Sequence, residues 1–200
     1  MDSQGVLELF RSSGAMLEGH FQLSSGLHSD RYFQCALILE DPARAEKLAQ
    51  ELAGRIRKKE REKFDVVIGP ALGAVIWAHE VARALGARCQ FTERKDGKME
   101  LRRGFKLSPG ERVLVVEDVL TTGGSTREVI EVMKHHDAHP AAIGAIVNRS
   151  GGNPFAAEGL ALHALAEVEV KTWKPEDCPL CRAGGSAVKP GSRPGAGARA

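Results

Sequence analysis

Near the middle of the chain the run VLVVEDVLTTGGST (113–126) carries two adjacent carboxylates, Glu117 and Asp118, from an apolar stretch into a loop of Thr121, Thr122, Gly123, Gly124 and Ser125. A helix-forming segment follows. Glycines let backbone N–H groups approach an oxyanion closely, hydroxyls add donors, and a helix start contributes partial positive charge, so the loop has the parts of a phosphate cradle. The carboxylates suit another partner. At a strand end they accept hydrogen bonds from the vicinal hydroxyls of a sugar, or reach a Mg²⁺ held on those hydroxyls, while the loop takes a terminal phosphate. The pattern is neither GxGxxG nor GxxxxGK[ST], because the loop has no lysine and its acids precede the glycines; dinucleotide and ATP readings weaken accordingly. A tight strand-to-helix turn beside a solvated acidic end is the bland alternative.

Three other segments offer groups for anions. Arg149 follows the apolar run AAIGAIVN (141–148) and precedes Ser150-Gly151-Gly152, a fork donor at a strand end that fits a planar carboxylate. FTERKDGKMELRRGFKL (91–107) gathers Arg94, Lys95, Lys98, Arg102 and Arg103 around a glycine turn, as a mobile basic lid would, although charge runs usually face solvent. In IGPALGAV (68–75), Gly69 to Gly73 can form a backbone nest for an anion or serve only as a turn.

These groups need elements to hold them. FDVVIGP (64–70), ERVLVVEDV (111–119) and AAIGAIVN (141–148) read as strands, and 73–85 and 124–136 as the helices after the first two. A further strand ends near Phe91. Helices are expected over 5–18 and over 42–60, the second starting at Asp41-Pro42. Short apolar strands alternating with helices predict an α/β fold with a parallel sheet covered on both faces, whose ligands lie beyond the strands' carboxyl ends.

The 200 residues suffice for one domain and a small appendage, and 28 Lys and Arg against 26 Asp and Glu give no global reason to expect nucleic acid. No leader pattern or membrane-length apolar run is evident, so a cytoplasmic protein is expected. Four cysteines are too few for a secreted disulfide framework. His135, His136 and His139 read as helix-surface residues, and no Ser/His/Asp or Cys/His set stands out.

The 113–126 segment resembles the phosphoribosyl pyrophosphate signature of type I phosphoribosyltransferases. The resemblance implies that Glu117, Asp118, Val119, Leu120, Thr121, Thr122, Gly123, Gly124 and Ser125 bind that sugar diphosphate, the two acids on the ribose hydroxyls and Thr121 to Ser125 on the 5-phosphate. Thr121 would also lie near the base. GHFQLSSGLHSDRYFQ (19–34) resembles the N-terminal hood of orotate phosphoribosyltransferases, which sets Tyr32 and Phe33 along the pyrimidine pocket and Arg149 on the orotate carboxylate. The basic segment resembles the branch with a shortened ERxxGxMxLRRGF loop. Arg94 joins Glu117 and Asp118 as a catalytic and diphosphate-binding residue on that likeness, with Lys95 and Lys98 as diphosphate-binding candidates and Arg102 and Arg103 behind them.

Departures from the family are specific. The loop has no His, Ser24 stands where a Lys is often found, Leu72-Gly73 replaces Tyr-Lys after Gly-Pro-Ala, and Asn148 replaces a common Asp. As a whole the resemblance implies a parallel-sheet type I phosphoribosyltransferase fold with helices on both faces, a small hood and a flexible basic hairpin. One domain would span 1–186, its hood built from 1–40 and 167–186, with 187–200 as a flexible tail. Orotate and phosphoribosyl pyrophosphate are the implied substrates, in UMP synthesis. Mg²⁺ is the implied cofactor, bound mainly through the diphosphate and possibly by Asp118, and a homodimer with a shared lid is the implied assembly; membrane and nucleic acid are not partners. Other bases with the same cradle, or a regulator that senses the sugar diphosphate, are the alternatives.

Cys178 and Cys181 have the CPLC spacing of a zinc knuckle, but only one such pair exists. Distant His or Cys would have to complete a site; a reduced, packed knuckle or a redox pair is the plainer reading.

Overall fold

In strand β6 (Arg112–Leu120), Leu114 and Val116 are buried in one apolar cluster and Val113 and Val115 in another, the two-residue repeat of a strand covered on both sides. Strand β3 (Val66–Pro70) alternates likewise, Val67 on one face and Val66 and Ile68 on the other. The computed structural model, which describes residues 1–23 and 25–190, joins them to β4 (Arg88–Lys95), β5 (Lys98–Leu101), β7 (His139–Asn148) and β8 (Ala161–Glu167) in one sheet. Its order is β5-β4-β3-β6-β7-β8, parallel throughout except for the β4–β5 hairpin. Helices α3 (Pro42–Lys59) and α4 (Gly73–Leu85) cover one face and α5 (Gly124–Lys134) the other. The expected α/β architecture is what forms.

Chain order places the site. From β3 the chain crosses to β4 on one side, and the strand on β3's other side is β6, so the carboxyl ends of β3 and β6 flank a topological switch point. Glu117 and Asp118 stand at one of those ends. Over it sits the hood, a separate antiparallel sheet of β1 (Met16–Gln22), β2 (His28–Phe33) and β9 (Thr172–Trp173). Phe33 of β2 meets Phe10 edge to face at 5.3 Å between ring centroids, which seats the hood on the first core cluster.

Several expectations need correction. The helix expected over 5–18 is α1 (Ser3–Ser12) alone: Ser13 Oγ donates to the Leu9 carbonyl at 2.7 Å, Gly14 turns left-handed at φ 68°, and Leu17 belongs to β1. Apolar residues of helix and strand fused into one apparent period. β4 continues past Phe91 to Lys95, because Asp96 and Gly97 both take positive φ and close a two-residue hairpin with β5. His135 and His136 lie in the turn after α5, and His139 begins β7. The four-residue elements α2 (Ala36–Leu39) and α6 (Pro179–Arg182) carried too little pattern to be read, and β8, ALHALAE, has no β-branched or aromatic residue to mark it as a strand. Residue 187 is too early a start for a tail: Val188 donates to the His20 carbonyl and accepts from Gln22, both at 2.8 Å. Ser24 and the remainder of the expected tail, 191–200, lie outside the described residues.

Candidate active site

Residues from β6, the loop after it, α5, the hood and the end of β7 line one cavity of about 360 Å³. It brings together Glu117, Asp118, Val119, Leu120, Thr121, Thr122, Gly123, Gly124, Ser125, Arg94, Arg149, Tyr32 and Phe33, which the sequence had pointed to from four separate segments.

The acid pair is the cavity's electrostatic feature. Burial, and then the neighbouring Asp118 charge, push the Glu117 carboxyl well above the ordinary carboxylate range; burial pushes Asp118 up as well, against the Val119 N–H that donates to its Oδ1 at 2.8 Å. Gly73, first residue of α4, is needed for this arrangement, since a Cβ there would come within 2.9 Å of Asp118 Oδ2. The Gly69–Gly73 turn thus abuts the acid pair. α4 begins without a side-chain cap, and the Ala71–Leu72 peptide bond in this turn is cis.

The cradle is shaped by Gly123. Its φ is 78°, and a Cβ on it would meet a Phe155 ring carbon at 2.7 Å and Arg127 Nη1 at 3.1 Å. α5 starts directly after it with no side-chain cap, so its first amides face the cavity end of the helix without an internal partner. Leu120 contributes little side chain, because that group is buried in the second core cluster. Arg127 holds the loop from behind: it donates to the Thr122 carbonyl at 3.0 Å, stacks over the Phe155 ring at 4.9 Å, and pairs with Glu158 at 3.2 Å. Gly123→Ala should therefore lower the melting temperature, from an overpacking cost of about 1–3 kcal/mol, and raise the KM for a phosphorylated sugar by about 5- to 150-fold if that cost falls on the bound loop. Gly124→Ala, whose Cβ would find only Thr122 Oγ1 at 3.8 Å, should leave the melting temperature unchanged. Thermal melts of both variants check the contrast.

At the opposite wall stands Arg149. Burial pulls its pKa down, Asp30 and Tyr32 acting the other way, and its Nε is buried without a hydrogen-bond partner in the described structure. Nη2 donates to Ser29 Oγ at 3.3 Å, and the guanidinium lies 5.7 Å from the Phe33 ring centroid. Asn148 stabilises the turn that presents it: Nδ2 donates to the Gly152 carbonyl at 2.8 Å, and Oδ1 accepts from the Ser150 N–H and hydroxyl at 3.0 and 2.7 Å. The departure at this position is a neutral loop anchor.

The basic hairpin divides. Arg94 reaches the cavity, paired with Glu128 at 2.6 Å. Lys95 and Lys98 face each other across the hairpin tip, exposed and outside the cavity lining, and Arg103 pairs with Glu93 at 2.7 Å. Arg102 is exposed as well. The sequence reading missed Glu128, Arg127 and Ser29. Glu128 is three residues past Ser125 on α5, so helical spacing from the glycine loop would have placed it on the cavity side. No local pattern announced Arg127, whose partners Phe155 and Glu158 are far along the chain.

Residues 37–155 match the family model described as "Phosphoribosyl transferase domain". A protein named orotate phosphoribosyltransferase in Desulforamulus reducens is 52% identical over 193 residues, which cover 96% of this chain and 98% of the relative. A protein of the same name from Pelotomaculum thermopropionicum is also 52% identical, covering 96% and 99%. Among solved structures, orotate phosphoribosyltransferase from Aeropyrum pernix superposes with a TM-score of 0.66 at 27% identity, over 82% of this chain and 94% of that one.

Proposed function

The chain belongs to the orotate phosphoribosyltransferase family, and on that premise we infer that it converts orotate and 5-phosphoribosyl 1-diphosphate into orotidine 5′-monophosphate and diphosphate, a step of pyrimidine nucleotide synthesis. The observation that carries the choice of base is Arg149. A guanidinium half withdrawn from water, with an unpartnered Nε and no salt bridge among the described residues, favours an anionic ligand. Orotate has a carboxylate; the purines and uracil have none.

In this reading the loop amides and the hydroxyls of Thr121, Thr122 and Ser125 hold the 5-phosphate, and Glu117 and Asp118 accept hydrogen bonds from the ribose hydroxyls. Tyr32 and Phe33 wall the pyrimidine, and Arg149 orients it through its carboxylate so that N1 faces C1 of the ribose. The C1–O bond to diphosphate breaks and the N1–C1 bond forms as the N1 proton leaves to the released diphosphate or to water, and the half-buried acid pair lies beside the sugar as positive charge develops at C1. No protein nucleophile takes part; positioning and fixed charge do the work.

A divalent cation fits the donor set. Two half-buried carboxylates beside a diol and a diphosphate are hard oxygen ligands, and the upward shift of both groups suits a place that takes positive charge. Mg²⁺, held mainly by the diphosphate and diol with Asp118 as its protein neighbour, would neutralise charge on the leaving group. Arg94 lies at the cavity edge for the same purpose once it exchanges Glu128 for diphosphate. Lys95 and Lys98, at the hairpin tip, would serve a neighbouring subunit's cavity in a homodimer. Soluble, charged metabolites as substrates support a cytoplasmic location, and no helix of the described residues is long and apolar enough to cross a membrane.

The test is a spectrophotometric assay of base consumption with 5-phosphoribosyl 1-diphosphate and Mg²⁺. Orotate should be consumed, and uracil, adenine, guanine and hypoxanthine should not. Turnover of a purine in preference to orotate would defeat the reading.

A further inference from the structure

His20 in β1, His28 at the start of β2, and Cys178 and Cys181 at the cap and within α6 come from opposite ends of the chain, yet their ligand atoms all lie within 4.8 Å of one another. Outside the cavity already described, no other group of His, Cys, Asp and Glu among the described residues converges like this. His20 Nε2 lies 3.0 Å from His28 Nδ1 and 3.4 and 3.6 Å from the Cys178 and Cys181 sulfurs, and Cys181 Sγ lies 3.3 Å from His28 Nδ1. A tetrahedral zinc ion with Zn–N of about 2.0–2.1 Å and Zn–S of about 2.3 Å has N–N and N–S edges of about 3.3–3.6 Å. Those four edges match that polyhedron to within a few tenths of an ångström, and the two remaining edges, both from Cys178, are no longer than 4.8 Å.

We propose that His20, His28, Cys178 and Cys181 bind one structural Zn²⁺ that fastens the C-terminal segment to the hood. The donor set is closed: two thiolates and two imidazoles fill a tetrahedron and leave no position for substrate or water, and none of the four lines the catalytic cavity. It differs in kind from the oxygen-donor site for the magnesium. His28 and Cys178 are buried, which removes them from easy exchange with solvent. The CxxC spacing supplies the second pair of ligands from one short turn and the β1–β2 hairpin the first, so a metal here adds to the links between the two segments at β9, two residues long, at the Ser29–Lys171 hydrogen bond and at the Val188 bridge. His28 precedes Ser29, which takes the Arg149 hydrogen bond, and its strand ends in Tyr32 and Phe33. Holding that strand would hold the base pocket.

Without a metal the same distances would be S–H···N and N–H···N hydrogen bonds, or the two sulfurs would oxidise to a disulfide with loss of two protons and two electrons to an external oxidant. Metal content separates these. The full chain, purified under reducing conditions without chelator, should hold one zinc per chain by elemental analysis. Cys178→Ser and His20→Ala should lose it, while Cys89→Ser, outside the cluster, should keep it. Stripping with a strong chelator should lower the melting temperature by roughly 10 °C, the shift expected when a ligand a thousandfold above its dissociation constant leaves a chain of this length. It should also raise the KM for orotate severalfold more than that for the sugar diphosphate. Zn²⁺ should restore both, and Mg²⁺ neither. Co²⁺ in place of zinc should show the visible bands of a tetrahedral ion and near-ultraviolet thiolate charge transfer. A folded, reduced wild-type protein that contains no zinc and takes up neither Zn²⁺ nor Co²⁺ would overturn the proposal, and so would a Cys178–Cys181 disulfide that persists under those conditions. Orotate turnover is scored separately, so a failure here leaves the reading of the catalytic cavity standing.

Discussion

Asp118→Asn is expected to lower kcat/KM for 5-phosphoribosyl 1-diphosphate by about 10²–10³-fold and, in the same molecule, to raise the melting temperature of the ligand-free protein. The first effect follows from a hydrogen bond to a charged group, worth about 1.5–3 kcal/mol, together with a lost neighbour for the cation on the diphosphate. The second follows from the desolvation of the half-buried pair. Glu117 and Asp118 both have folded-state pKa values above those of the unfolded chain. At a pH between the unfolded and folded values the folded state binds more protons than the unfolded one, so stability falls as pH rises. The pair's contribution is complete below about pH 4, where carboxylates of the unfolded chain are protonated, and is lost as pH climbs toward the raised values. Asparagine removes one charge of the pair. The variant should therefore gain about 0.5–2 kcal/mol near neutral pH, or roughly 2–6 °C, and its melting temperature should vary less with pH from weakly acid to neutral conditions. A melting series across that range for both proteins, with steady-state kinetics at one pH, reads both signs. An unchanged rate, or a variant less stable than the parent at neutral pH, would contradict the role of the acid pair.

Arg149→Ala should reduce kcat/KM for orotate by about 10²–10³-fold, the cost of truncating one member of a desolvated, hydrogen-bonded charge pair, which is about 2–5 kcal/mol. Affinity for the sugar diphosphate should stay within twofold, because the cradle is built on β6 and α5 and owes nothing to this side chain. Lysine at 149 should recover little, since a point charge cannot match both carboxylate oxygens and does not stack on Phe33 as a guanidinium does. Titration of each variant with each substrate separates the two sites. Equal loss for both substrates would mean that Arg149 holds the fold and not the base.

What the sequence made legible depended on how locally each feature was written. The cradle was the clearest: acids, hydroxyls and glycines fill seven of nine consecutive positions, and the strand before them alternates between two buried faces. Asp41 as the cap of α3 was likewise readable, and the structure shows its carboxylate accepting from Ala43 and Arg44. The end of α1 was not, because Leu17 continues its helical period by coincidence while Gly14, six residues before the hairpin's His20, had already turned the chain. Non-local partnerships were illegible in principle. Asn148 as an anchor for the Arg149 turn could be suspected only as a departure from the family, and Arg127 needs Phe155 and Glu158 across the fold. The cysteine pair was visible without its partners; the two histidines stand at least 150 positions earlier and reach it only because the hood folds back.

The central claim is that Glu117 and Asp118 take the ribose diol while the amides that follow Gly123 take the 5-phosphate. A crystal structure with 5-phosphoribosyl 1-diphosphate and Mg²⁺ addresses it directly. The account predicts ribose hydroxyl oxygens at about 2.5–3.0 Å from the two carboxylates and phosphate oxygens at about 2.7–3.2 Å from the first amides of α5. The substrate bound elsewhere, with residues 117–125 making no contact to it, would contradict the account.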